Sequence, residues 1–254
     1  MSSMPRIVTV TADNVEEEGF FCCKSKPKSD GYRAKLEWLQ QRFAEGLVIK
    51  VLYDGRRSFG FIEYMPGEFT WRVVEAPEAL VIHCLWVVGS GKGQGFGTLL
   101  LQECLADAAA QGKSGVVMVS SRGNWLAHEK LFLKNEFTEI DAAPPSFKLL
   151  WRPLREGAKP SFPTDWEARA AAFGLGATIL YTDQCPYMPD ALQEALDAFA
   201  ARGIPARGLQ FRTAEEVRRL SPSPYGVFGL VLDGRLFAYH YLGKAELRRL
   251  DERA

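Results

Sequence analysis

The sequence predicts an α/β chain with a mixed sheet, followed by a second and smaller α/β domain. Three observations carry this. β-rich runs lead into an apolar stretch, a glycine-rich loop and a long Leu- and Ala-rich segment. A stretch dense in proline and charge, Arg152 to Asp165, interrupts the chain. Beyond it the strand and helix signals restart in a different order. With 254 residues, two domains of ordinary size are expected, 1–157 and 158–254, with the boundary near Gly157.

In the first domain, Pro5 to Thr11 reads as a strand. Gly31 to Phe43 places Leu36, Leu39 and Phe43 at helical spacing. Leu47 to Tyr53 and Ser58 to Tyr64 are strands joined at Asp54-Gly55, a hairpin signal. Glu78 to Val87 is an apolar run. Thr98 to Gln111 is a helix closed by Gly112, Val116 to Ser120 a buried strand, Leu126 to Lys134 a short helix and Phe147 to Arg152 a last strand. In the second domain the order is βαβαββ. Ala177 to Thr182 is a strand and Asp190 to Arg202 a helix. Leu209 to Arg212 is a strand, and Ala214 to Leu220 a helix capped by Thr213 with Glu216 three residues on. Val227 to Leu232 and Arg235 to Tyr241 flank the turn Asp233-Gly234.

Composition narrows the function. Lys plus Arg and Asp plus Glu both number 31, so the basic excess of a nucleic-acid binder is missing. No run approaches the roughly 20 apolar residues of a membrane span. The N-terminal residues do not read as a signal peptide. The expectation is a cytoplasmic protein. Five cysteines (Cys22, Cys23, Cys84, Cys104 and Cys185) and three histidines lack zinc or disulfide-framework spacing. No metal site is expected.

The segment Leu85 to Leu100 contains Gly89, Gly91, Gly93, Gly95 and Gly97 and runs straight into a helix. Without Cβ atoms, successive backbone N–H groups can line one concavity. The first helical turn adds further free N–H groups with partial positive charge. Together they make a phosphate or pyrophosphate cradle, with Lys92 at its rim. A nucleotide P-loop is disfavoured because no Gly-Lys-Ser/Thr follows. A dinucleotide fingerprint is a nearer rival. Against it, Val116 to Ser120 ends without an acidic residue.

This stretch resembles the coenzyme A motif of the GNAT N-acetyltransferases, Gln/Arg-x-x-Gly-x-Gly/Ala, with Lys92, Gly95 and Gly97 at its fixed positions. Asn124 to Phe137 resembles the family's second motif, its Gly-Phe pair here being Glu136-Phe137. The resemblance implies a splayed mixed sheet binding acetyl-CoA or another acyl-CoA. It also implies cofactor contacts from Val87, Val88, Lys92, Gly93, Gln94, Gly95, Phe96, Gly97, Thr98 and Asn124. The tyrosine that often protonates the leaving thiolate is matched by Phe132, which has no proton to give.

His83 and Glu63 are the candidate bases for deprotonating an amine. Cys84 is expected in the core, turned away from His83 by strand alternation. Cys22 or Cys23 could supply a pocket thiol, and Trp71 either lines an acceptor pocket or sits in the core. Cys185-Pro186-Tyr187-Met188 resembles the glutaredoxin Cys-Pro-Tyr-Cys site with the second cysteine lost, and the order of elements is similar to a thioredoxin-like fold. A helix N-terminus would make Cys185 a reactive thiol. The proline that this fold carries before its third strand is matched nearby by Pro224, although Gly226 fits the spacing better. The whole combination resembles YoaP-like proteins, GNAT domains with such a tail. The expected activity is acetyl transfer from acetyl-CoA to a small amine, with a homodimer as an open oligomeric expectation. The alternatives are a thiol redox or electrophile-responsive protein using Cys185, with coenzyme A in a structural role, or a pure binding module.

Overall fold

The strands β1 (Arg6–Val10), β2 (Val48–Asp54), β3 (Arg57–Pro66), β4 (Ala79–Val87), β5 (Gly115–Ser120), β6 (Thr138–Ala143) and β7 (Phe147–Pro153) form one sheet in the order β1-β2-β3-β4-β5-β7-β6. The structure is a computed structural model and describes residues 5–122 and 126–247. All neighbours in this sheet are antiparallel except β4 and β5. That parallel pair needs a crossover, which the helix α3 (Phe96–Ala110) supplies. The central strands are apolar on both faces, and β5 is buried along its whole length. Helices α1 (Val15–Glu18) and α4 (Glu129–Lys134) belong to this region, and α2 (Asp30–Phe43) precedes β2 in the chain.

Two irregularities in the strands position the site. Glu63 pairs with Cys84, but Tyr64 pairs with Ile82, so His83 is an extra residue bulged out of β4. β4 and β5 stay paired only from Ala79↔Gly115 to Ile82↔Met118, although β4 continues to Val87 and β5 to Ser120. Among the described residues, the second half of β4 thus has β3 on one side and an open edge on the other.

A second sheet has the order β11-β10-β8-β9, from β8 (Ala177–Tyr181), β9 (Ala206–Gln210), β10 (Phe228–Leu232) and β11 (Arg235–Ala238). β8 and β9 are parallel, and the other pairs are antiparallel. Its helices are α5 (Trp166–Ala171), α6 (Met188–Ala200), α7 (Ala214–Leu220) and α8 (Lys244–Leu247). The capping box expected at Thr213 and Glu216 forms in both directions. The second strand starts three residues earlier than the expected Leu209 to Arg212, because Ala206 pairs with Ala177 and carries the register.

The chain divides into two compact units. The first holds residues 1–26, 39–70 and 74–162, and the second 27–38, 71–73 and 163–254. Trp71, a candidate for the acceptor pocket, belongs to the second unit. It is buried there, edge-on to Trp38 at 5.2 Å between ring centres. Gly31 approaches the Pro186 carbonyl so closely that any Cβ would overlap it, so the start of α2 lies against the Cys185-Pro186 turn.

Within this second unit Asp183 is half-buried and accepts a hydrogen bond from Gln210 at 2.6 Å. Burial raises its pKa above the ordinary 3.8, outweighing the Gln210 bond and Arg212, while Glu37 adds to the rise. The folded state therefore holds this proton more tightly than the unfolded chain and is penalised as pH rises through the folded pKa. Asp183→Asn keeps the acceptor for Gln210 and removes that penalty. Denaturant titrations should show the variant more stable than the parent at pH 7. The gain should vanish below about pH 3.8.

Candidate active site

Leu85 and Gly60 face α3, since a Cβ on Gly97 would meet Leu85 at 3.8 Å and a Cβ on Gly60 would meet Leu100 at 3.3 Å. Residues that alternate with them face the other way, and register partners share a face. Phe61 pairs with Trp86, and Glu63 with Cys84. The face away from α3 therefore carries Phe61, Glu63, Cys84 and Trp86 side by side. Phe21 stacks on Phe61 at 5.0 Å. Trp86 is 36% exposed and Cys84 is half-buried.

The expectation that Cys84 sits in the core, on the face opposite His83, fails here. The bulge breaks the alternation between the two residues. It puts the His83 ring on the Glu63 side, with Nδ1 3.4 Å from Glu63 Oε1. The two candidate bases, twenty residues apart in sequence, are thus neighbours. His83 is fully buried, and Glu63 keeps 4% of its side chain accessible. Thr70 Oγ1 lies 3.1 Å from His83 Nε2. No sequence motif pointed to Thr70.

On the open edge, the backbone bonding decides which groups are free. Val88 N–H donates to the Phe59 carbonyl at 2.8 Å, and Val88 C=O accepts from Gly91 at 2.9 Å. By antiparallel alternation, Leu85 and Val87 turn their N–H and C=O groups away from β3. Of the two expected valines, Val87 therefore presents backbone to the edge and Val88 does not. Leu85 was missed, and a step of two along the strand from Val87 would have found it.

At the end of this edge lies the glycine loop. Gly89–Gly91 make a single 3₁₀ turn, and Gln94 Nε2 donates to Ser90 C=O at 2.7 Å, pinning the loop. Gly93 and Gly95 have φ of +81°, a left-handed conformation that side chains rarely adopt. The first bond of α3 runs from Leu99 N–H to Gly95 C=O at 3.0 Å. The N–H groups ahead of it, on Phe96, Gly97 and Thr98, have no acceptor within the helix. They make an anion cradle at a helix N-terminus. Lys92 stands at its rim, its Nζ 5.5 Å from the Trp86 ring centre. Asn124, the remaining expected contact, falls outside the described residues.

α3 is held from its buried side. Lys50 reaches Glu103 at 2.8 Å and Asp107 at 2.9 Å, and Tyr64 O–H donates to Asp107. Burial opposes the Lys50 charge, but the two carboxylates outweigh it and raise its pKa. Cys104, on the same helix, is wholly buried, and its thiol pKa is pushed well up by burial first and by Asp107 second. Phe132 is fully buried, edge-on to Phe137 at 5.3 Å, so its position offers no proton. Glu136 has φ of +63°, the conformation that a glycine of the Gly-Phe pair would take freely. Among the described residues there is no His/Cys/Asp/Glu cluster that could hold a metal, and no helix long and apolar enough to cross a membrane.

The donors fit a coenzyme thioester: an open strand edge for an amide-bearing arm, ending at an N–H cradle for phosphates. Gly95→Ala should test the cradle. No atom lies within 4 Å of the added methyl, so only the left-handed backbone resists it, by about 1–2 kcal/mol. A loop that relaxes away from this strain loses its N–H alignment, and calorimetry should show acetyl-CoA bound about tenfold more weakly.

Comparison with known proteins gives the family. Residues 14–132 match the Acetyltransferase (GNAT) family. The chain is 30% identical over 249 residues to the uncharacterized N-acetyltransferase YoaP of Bacillus subtilis (strain 168), covering 96% of this chain and 97% of that protein. Among solved structures, PaiA N-acetyltransferase from Thermoplasma acidophilum, in complex with coenzyme A, matches with 15% identity and a TM-score of 0.43. The match covers 59% of this chain and 99% of that one. An acetyltransferase from Thermus thermophilus matches with 16% identity and a TM-score of 0.44, over 61% of this chain and 100% of that one. The chain belongs to the GNAT acetyltransferase family and is an N-acetyltransferase whose acyl donor is acetyl-CoA.

Proposed function

We propose that the chain acetylates a small amine on the Phe61, Glu63, Cys84 and Trp86 face of its first sheet. The observation that carries this is the position of Glu63. It shares its face with half-buried Cys84 and exposed Trp86, next to the stretch of β4 whose other edge is open. Acetyl-CoA supplies an acetyl thioester, which the amine's lone pair attacks as the carbon–sulfur bond breaks and the thiolate leaves. Leu85 and Val87 hold the pantetheine arm through their backbone. The cradle from Gly93 to Thr98, with Lys92, holds the phosphates. Glu63 takes the proton that the amine gives up, and His83 steadies the carboxylate through Nδ1. With phenylalanine at 132, the thiolate takes its proton from solvent.

The second unit is read as thioredoxin-like, on the support of its strand order β11-β10-β8-β9 with a helix after each of the first two strands. Cys185 then stands at the reactive-thiol position ahead of α6. Met188, fully buried, stands where a second cysteine would be. Gly226, which fits the spacing of that fold's proline better than Pro224, has the left-handed φ of +71°.

Incubation with acetyl-CoA and a panel of small amines, read by mass spectrometry, tests the proposal. Acetylation of one or more amines supports it. Tight acetyl-CoA binding with no amine acetylated would leave only the cofactor site standing.

A further inference from the structure

Thr70 follows a single 3₁₀ turn, Gly67–Phe69, and its backbone N–H closes that turn on Gly67 C=O at 3.3 Å. Its side chain is fully buried. The hydroxyl lies 3.1 Å from Nε2 of His83, and the other ring nitrogen lies 3.4 Å from Glu63. The imidazole thus has the Thr70 hydroxyl within hydrogen-bond distance at Nε2 and the Glu63 carboxylate within ion-pair range at Nδ1, away from solvent.

The two ends differ chemically. An ionised carboxylate accepts hydrogen bonds and cannot donate one, so Glu63 requires the hydrogen on Nδ1. In the neutral ring Nε2 is then a bare lone pair and calls for a donor. A threonine hydroxyl can be that donor, since it carries a proton as well as lone pairs. In the opposite arrangement Nε2 would carry the hydrogen and Nδ1 would be bare. Glu63 would then have to be protonated to meet it, and a protonated Glu63 cannot take a proton from an amine.

The geometry points to Thr70 as a positioning residue. Its hydroxyl donates to His83 Nε2, fixes the Nδ1–H tautomer, and so aims that N–H at the Glu63 carboxylate. This deepens the reading of Glu63 as the proton acceptor and rests on it. The tautomer itself is a property of the free protein, measurable without any turnover.

The test is a two-bond ¹H–¹⁵N correlation spectrum of the full chain with ¹⁵N-labelled histidine. The chain has three histidines, so His128→Gln and His240→Gln assign the ring of His83. The expected spectrum shows a protonated Nδ1 and a bare Nε2. In Thr70→Val the ring should populate both tautomers, and kcat should fall about 10- to 100-fold with the KM for acetyl-CoA unchanged. Thr70→Ser should restore both the tautomer and kcat. An Nε2–H tautomer in the parent protein overturns the proposal, and so does a Thr70→Val spectrum identical to the parent's. Should Thr70→Val fail to fold, the parent and Thr70→Ser spectra still decide. An Nδ1–H tautomer in a protein that acetylates no amine would count against the transferase reading alone.

Discussion

Glu63→Gln should lower kcat/KM for the amine by about 10²- to 10⁴-fold, the contribution usual for a positioned general base. Glutamine has the same shape and can still meet His83 across β3 and β4, so the fold should hold. What it loses is the ability to take a proton. Acetyl-CoA affinity should stay within about twofold of the parent, because the cradle and the open edge use backbone groups that the substitution does not touch. That split between the chemical step and cofactor binding is the informative readout. It is checked by steady-state kinetics alongside calorimetric titration with acetyl-CoA. A variant with kcat/KM within a few-fold of the parent would remove Glu63 from the mechanism.

The second large effect is expected at Gly60, on β3 opposite Val87. A Cβ there would stand 2.6 Å from the Trp86 carbonyl oxygen and 3.1 Å from a Val87 methyl. A side-chain tip could swing aside, but a strand carbonyl can move only with its strand. Gly60→Ala should therefore push β3 and β4 apart where they lead into the cradle. The overpacking should cost about 1–3 kcal/mol of stability. The Leu85 to Val87 edge would shift with it, and acetyl-CoA affinity should drop at least about tenfold. Gly89→Ala is the control. Its methyl meets no atom within 4 Å and its φ is not left-handed, so stability should stay within about 0.5 kcal/mol of the parent.

These two residues illustrate what a sequence can and cannot disclose. The strand, glycine loop and helix from Ala79 to Ala110 were legible because local chemistry dictates them: an apolar run, then glycines, then strong helix formers. Both Asp-Gly hairpins and the Thr213 capping box were legible for the same reason. The strand β6 was not, since it is a half-exposed sheet edge with no apolar alternation to mark it. The bulge at His83 was hidden too. Within a continuous apolar run, nothing signals which residue is the extra one, and that single insertion decides that His83 meets Glu63 and that Cys84 leaves the core. Thr70 was invisible because it lies in a connection outside the strands and its partner is thirteen residues away, on β4. Residues 27–38 and 71–73 join the second unit through contacts remote in sequence, which local patterning does not encode.

The proposed mechanism requires acetyl-CoA to lie along the open half of β4 and end in the glycine cradle. Amide hydrogen exchange with and without acetyl-CoA tests this directly. Slowed exchange is expected at Leu85 and Val87 and across Gly93 to Thr98, while the Val88 amide, already bonded to Phe59, should change little. Protection confined to other segments, with exchange from Leu85 to Thr98 unaltered at saturating acetyl-CoA, would contradict it.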